Sequence, residues 1–160
     1  MNPRHIFFGI LSITIVSAVG CDSNSDTGTS TTHTKNNSSS EANNEGANPK
    51  GIGKYKDVQL THPLDEKMVA VGKTVYDVKC GSCHKTTDEK LVGPGWKGVT
   101  DRRAPEWIMN FVTNTEEMIA KDTIAQKLLE VCLVKMPNQN LQETDARSVL
   151  EFMRKNDGKQ

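Results

Sequence analysis

Cys80-Gly81-Ser82-Cys83-His84 places two thiols three residues apart and an imidazole directly after the second. The four cysteines of the chain (Cys21, Cys80, Cys83, Cys132) would suit two disulfides in an exported protein. A redox-active Cys-x-x-Cys belongs beside a strand–helix unit, and no strand pattern lies near this one. A zinc site has enough ligands on paper in Cys80, Cys83, His84 and Cys132. The immediate histidine, in a chain that begins with an export signal, favours covalent haem c: the thiols form thioethers on one haem edge and His84 supplies the proximal nitrogen.

Outward from that motif, composition narrows the field. The chain has 160 residues and a formal net charge of zero. Residues 51–160 carry 17 Lys plus Arg against 16 Asp plus Glu, too balanced to neutralise a phosphate backbone, so a nucleic-acid partner is excluded. They have room for one small domain, with only six aromatic residues to fill it. A bound cofactor would supply the missing apolar bulk.

The apolar spacing after residue 60 is helical. Pro63 suits a first helical turn, and Leu64, Met68, Val71, Val75 and Val78 follow on one face. Gly72 interrupts that helix at a cost of about 1 kcal/mol against alanine. Residues 85–101 hold Gly93, Pro94, Gly95 and Gly98 and read as loop. Ala104-Pro105-Glu106-Trp107 opens another helix, and Asn114 or Thr115 caps the next. Residues 122–134 carry Ile124, Leu128, Val131 and Cys132 at helical spacing, and Pro137 blocks continuation. With no period-two run, the expected fold is all-α: three to five short helices around one haem.

The stretch Leu64 to Lys155 resembles a class I cytochrome c. A helix with Gly72 and Tyr76 leads into Cys-x-x-Cys-His. Val92-Gly93-Pro94-Gly95-Trp96-Lys97-Gly98-Val99 is similar to the family's Gly-Pro-x-Leu-x-Gly-Val loop, with Trp96 where leucine is usual. Met136-Pro137 is similar to the segment carrying the distal ligand, and Leu141 to Ala146 precede a terminal helix with Val149, Leu150, Phe152 and Met153. The resemblance implies that the Pro94 carbonyl orients His84, that Met136 closes the other haem face, and that Gly72 marks a close helix crossing near Phe152.

Among six methionines, Met136 stands apart: it follows a helix, precedes proline and lies 52 residues after His84. Thioether sulfur stabilises ferrous iron and raises the potential. Met68 and Met153 read as core; Met109 and Met118 read as core or ligand. His62 would give bis-histidine iron but lies 22 residues ahead of His84. Cys132 reads as a small apolar residue, a thiol pairing with another chain, or an alternative iron ligand.

Residues 1–20 read as a signal peptide: Arg4, then an apolar run from Ile6 to Val19, too short for a membrane span of about 20 residues. Ala18-Val19-Gly20-Cys21 resembles a bacterial lipobox, with Ala18 where leucine is usual, which implies lipidation of Cys21; ordinary cleavage there is the alternative. Residues 22–50 hold 17 Ser, Thr or Asn and read as a disordered tether reaching about 30 Å. Residues 51–160 are the expected monohaem domain.

These readings converge on a monomeric, lipid-anchored periplasmic one-electron carrier and not an enzyme. His84 and Met136 would fill both axial positions, and the haem supplies the redox chemistry. Expected donors are a quinol-oxidising complex or another cytochrome; expected acceptors are a terminal oxidase or reductase. Trp107-Ile108-Met109-Asn110 through Met118, with Asn138-Gln139-Asn140, also resembles small cytochromes associated with nitrous-oxide reduction, which implies nitrous-oxide reductase among the acceptors. Lys79, Lys85, Lys97 and Lys135 are candidates for steering an acidic partner, or are scattered solvated charges. The alternatives are a sensor or enzyme with a displaceable sixth ligand, and a fixed haem subunit of a respiratory complex.

Overall fold

The computed structural model describes residues 48–160, which form six helices and no strand beyond one isolated bridge between His84 and Lys90. The expected signal peptide, Cys21 and most of the tether lie outside the described residues. Among the described residues no helix is long and apolar enough to cross a membrane.

The first helix, α1 (Glu66–Lys79), begins three residues after Pro63. Asp65 sets the start, because its carboxylate accepts from the Lys67 and Met68 backbone N–H groups at 2.9 and 3.1 Å. Its buried face also differs from the expected one. Leu64 is buried and Met68 and Val75 are half-buried, but Val71 and Val78 face solvent. Gly72 turns the helix, because it is pressed against the last helix, α6 (Glu143–Asn156). A Cβ on Gly72 would overlap the Ser148 carbonyl and lie 2.9 Å from Phe152 Cβ. This is the close crossing implied by the resemblance.

Between them lie α2 (Val99–Arg102), α3 (Pro105–Thr113), α4 (Thr115–Lys121) and α5 (Thr123–Cys132). The single turn of α2 sits inside the glycine-rich stretch read as loop, and it takes the helix total past five. Proline at the first position opens α3 as expected. Asn114 does sit before α4, but its side chain donates to Glu117 Oε2 at 2.6 Å instead of capping the backbone. Asp122 caps α5 through Ala125 N–H at 2.8 Å. That helix stops at Cys132, because Leu133 turns left-handed (φ 60°), so Cys132 and Met136 do not share a helical turn.

The core gathers Trp96, Trp107, Met109, Met118, Val149 and Leu150. Residues 48–61 form an arm that packs on α3 and reaches α6 at its end. Asn110, buried in α3, donates to the carbonyls of Lys50 and Tyr55 and accepts from Tyr55 N–H, each at 3.0 Å. Buried Glu151 on α6 accepts from Thr61 Oγ1, Arg147 and Arg154, joining the arm to the α1–α6 pair.

Candidate haem site

The Cys80–His84 segment is a tight helical turn continuing α1. Cys83 and His84 N–H groups both donate to the Cys80 carbonyl, at 3.0 and 2.9 Å. Cysteines three apart in a helical turn fall on one side of it, so both thiols can meet one edge of a flat ligand. Cys80 is buried and Cys83 half-buried. As a free thiol Cys80 is pushed up to about 11, chiefly by burial, which keeps it uncharged.

Of three contacts here, two hold His84 itself and one holds its neighbour Cys83. Tyr76 Oη donates to its carbonyl at 2.7 Å, and Gly93 N–H donates to the Cys83 carbonyl at 2.9 Å. His84 Nδ1 lies 2.9 Å from the Pro94 carbonyl, as the resemblance implies. A carbonyl only accepts, so the proton sits on Nδ1 and Nε2 is left for a metal. Burial pulls the imidazole below its ordinary value, with the Pro94 hydrogen bond opposing, which favours the neutral ligand form. A side chain on Gly93 would overlap the His84 ring.

Two apolar cavities flank this histidine, both partly open to solvent. His84, Pro94, Phe111, Leu128 and Met136 line both; Cys83 and Cys132 line the first. Met136 therefore shares both cavities with His84, although 52 residues separate them. Met109 and Met118 are buried core and line neither. Met118 Sδ instead accepts from Ile52 N–H at 3.1 Å. His62 is exposed, with Nδ1 3.1 Å from the Gln160 carbonyl, and does not join His84.

The alternatives to haem gain nothing from the geometry. Cys80, Cys83 and Cys132 are free thiols, and among the described residues no three His, Cys, Asp or Glu groups gather as a metal site. The residues do fit haem c: two thiols on one side of a turn, a neutral histidine with a free ring nitrogen, and apolar walls.

Arg102, Arg103 and Trp107, at the second cavity, were missed in the sequence. Burial first, then Arg102, pulls the Arg103 guanidinium below its ordinary value, with Asp122 opposing. Two adjacent cations bordering an apolar cavity can receive carboxylates. The signal was available in the Arg102-Arg103 pair just ahead of a helix start.

The sequence profile described as cytochrome c matches residues 69–157. Among solved structures, cytochrome c from Rhodothermus marinus is 31% identical over 69% of this chain and 94% of its own, with a TM-score of 0.66. An engineered form of that cytochrome, bound to a carbene intermediate, is 29% identical over 69% of this chain and 99% of its own, with a TM-score of 0.63. No curated protein matches. With the Cys80–His84 turn seated in an all-α domain of that shape, the chain belongs to the cytochrome c family: it is a class I c-type cytochrome, an electron carrier with one covalently attached haem c.

Proposed function

We propose that the protein is a membrane-tethered periplasmic one-electron shuttle whose haem is ligated by His84 and Met136, and that it is not an enzyme. The observation carrying this reading is that both cavities are lined by His84 and Met136 together. Cys80 and Cys83 would hold the cofactor covalently, and Arg102 and Arg103 would receive its carboxylates. When bound, the haem supplies a one-electron couple; the chain sets its surroundings. Pro94 fixes the proton on His84 Nδ1, and the apolar walls would pack against the haem faces. With two protein ligands in place, exchange with redox proteins proceeds without a substrate reaching the metal.

The tether and anchor rest on the sequence of residues 1–50, with Cys21 as the lipidated residue. A terminal reductase, nitrous-oxide reductase among them, is the proposed acceptor, on the strength of the Trp107–Met118 and Asn138–Asn140 segments. Mass spectrometry of the envelope fraction checks for a diacylglyceryl Cys21.

Optical spectra of wild type and Met136→Ala test the ligation. The expected wild type is low-spin in both oxidation states, with a sulfur-to-ferric charge-transfer band that the variant loses. A high-spin wild type that takes up carbon monoxide freely would overturn the reading in favour of a sensor or enzyme. Low-spin haem without the sulfur band would mean another distal ligand.

A further inference from the structure

Val131, Leu133 and Val134, around the end of α5, are 64, 85 and 54% exposed. Leu91 and Val92, in the loop after His84, are exposed as well. Two observations place both groups on one rim. Lys90 Nζ donates to the Val131 carbonyl at 2.8 Å, tying the segments together. Val92 and Val134 line the same cavity as Cys83 and His84. A cofactor held in that cavity would face those two valines. Leu91, Val131 and Leu133 line neither cavity, so they stand outside the walls that would face the cofactor.

Leu133 adds an independent signal. At φ 60° it holds a left-handed position that glycine or asparagine occupies at lower cost. A leucine there, almost wholly in solvent, gains neither packing nor backbone relief inside the chain. What it offers is apolar surface to something outside.

The charges around this rim are engaged or balanced. Lys90 is tied to Val131, Lys79 Nζ donates to the Gln139 carbonyl at 3.0 Å, and Lys85 pairs with Glu89 at 3.3 Å. Glu130 and Lys135 bracket the α5 residues with opposite signs. An acidic partner finds little surplus positive charge to complement.

We propose that Leu91, Val131 and Leu133 form the docking surface for a redox protein that presents an uncharged apolar face. Association is then driven by apolar burial and not by charge steering. The proposal rests on the electron-carrier reading and names the chemistry of its partner. A few side chains fall far short of the roughly 20–30 residues a side of a stable interface, and suit the small, short-lived contacts of electron transfer. That argues against a permanent second copy as the occupant.

Gold electrodes coated with methyl-terminated or carboxylate-terminated alkanethiols stand in for the partner in voltammetry of the holoprotein. Exchange is expected to be faster on the methyl surface and flat between about 10 and about 500 mM salt. It should fall about tenfold in Leu133→Asp and in Leu91→Asp. Val71→Asp, at an exposed apolar residue of α1 about 13 Å along the helix axis from Cys80, should keep the wild-type rate. A preference for the carboxylate surface, a rate that falls with salt, or wild-type rates in both rim variants overturns the proposal. A concentration-dependent dimer in sedimentation, or flotation with phosphatidylethanolamine vesicles, either one abolished by Leu133→Asp, overturns it in favour of a second copy or a lipid surface. Reduction by a small soluble mediator separates the two readings. A holoprotein not reversibly reduced by it fails as an electron carrier, whereas normal reduction with inert rim variants sinks the docking surface alone.

Discussion

The chain holds the His84 region by bonds that reach eight to eleven residues along the sequence, whereas the bonds inside the Met136 loop reach only two. On the histidine side, Gly93 N–H reaches the Cys83 carbonyl at 2.9 Å and Trp96 N–H the Lys85 carbonyl at 2.8 Å, while Tyr76 and Pro94 grip the residue itself. On the methionine side, residues 133–140 begin and end on left-handed non-glycine residues, Leu133 (φ 60°) and Asn140 (φ 50°). Inside that loop the bonds are local, Gln139 Nε2 to the Pro137 carbonyl and Asn140 N–H to Asn138 Oδ1. One half is therefore fixed by the fold, and the other is a separable loop whose changes should alter ligation before stability.

Both halves depend on the α1–α6 pair, so its buried ion network should show the largest effect. Glu151 is fully buried between Arg147 and Arg154 and also accepts from Thr61. Glu151→Ala leaves two guanidinium groups without their partner and is expected to cost about 3–5 kcal/mol in urea unfolding. The pH dependence follows from the same contacts. Burial alone would raise the Glu151 carboxyl, but Arg147, Thr61 and Arg154 override it and hold the group below its ordinary value. Its stabilisation is thus full above the unfolded carboxyl value of about 4.3 and is lost as pH falls through the lower folded value. Acid unfolding of Glu151→Gln should lose that component of the transition.

Gly93→Ala attacks the histidine half directly. The added methyl would overlap the His84 ring, and overpacking of this kind costs about 1–3 kcal/mol. The expected outcome is a lower yield of low-spin holoprotein together with a lower melting temperature. An unchanged spectrum would mean that the histidine side yields as easily as the methionine side, and the contrast would collapse.

Much of this contrast was legible in the chain before folding. The Cys80–His84 motif is a short-range signal readable from its own residues, whereas the role of Pro94 came with the family resemblance. The all-α class followed from periodicity, which survives ignorance of the tertiary contacts. What could not be read were faces chosen by a distant element. Val71 and Val78 share a helical stripe with Met68, yet Gly72 meets the Ser148 backbone 76 residues away and rotates the stripe outward. The arm at residues 48–61 was not readable as an arm because its anchors, Asn110 and Glu106, lie on α3. Asn110 between Met109 and Phe111 was a usable clue, since a polar residue on an apolar helix face needs a partner.

Leu133→Gly tests the methionine half with the opposite sign. The side chain is almost wholly exposed, so little packing is lost, and the left-handed backbone is relieved. Relief of about 1–2 kcal/mol is offset by glycine's extra unfolded-state entropy of about 0.5–1 kcal/mol. A net gain of about 0.5–1 kcal/mol is expected in urea unfolding. A loss would show that Leu133 packs in solution and that this end of the loop is held more firmly than its geometry says.

Lys79→Met is the smallest change and the most selective. Lys79 ends α1, one residue before Cys80, and its ammonium donates to the Gln139 carbonyl at 3.0 Å, bridging the two halves. The group is exposed, so water replaces the lost bond and global stability should move by less than about 0.5 kcal/mol. The distal loop, however, loses a tie to the rest of the fold. If Met136 is held as proposed, imidazole should displace it a few-fold more readily in the variant, at constant melting temperature. Equal displacement in both proteins would show that the loop's local bonds suffice, and that the bridge seen at Lys79 carries no part of the difference between the halves.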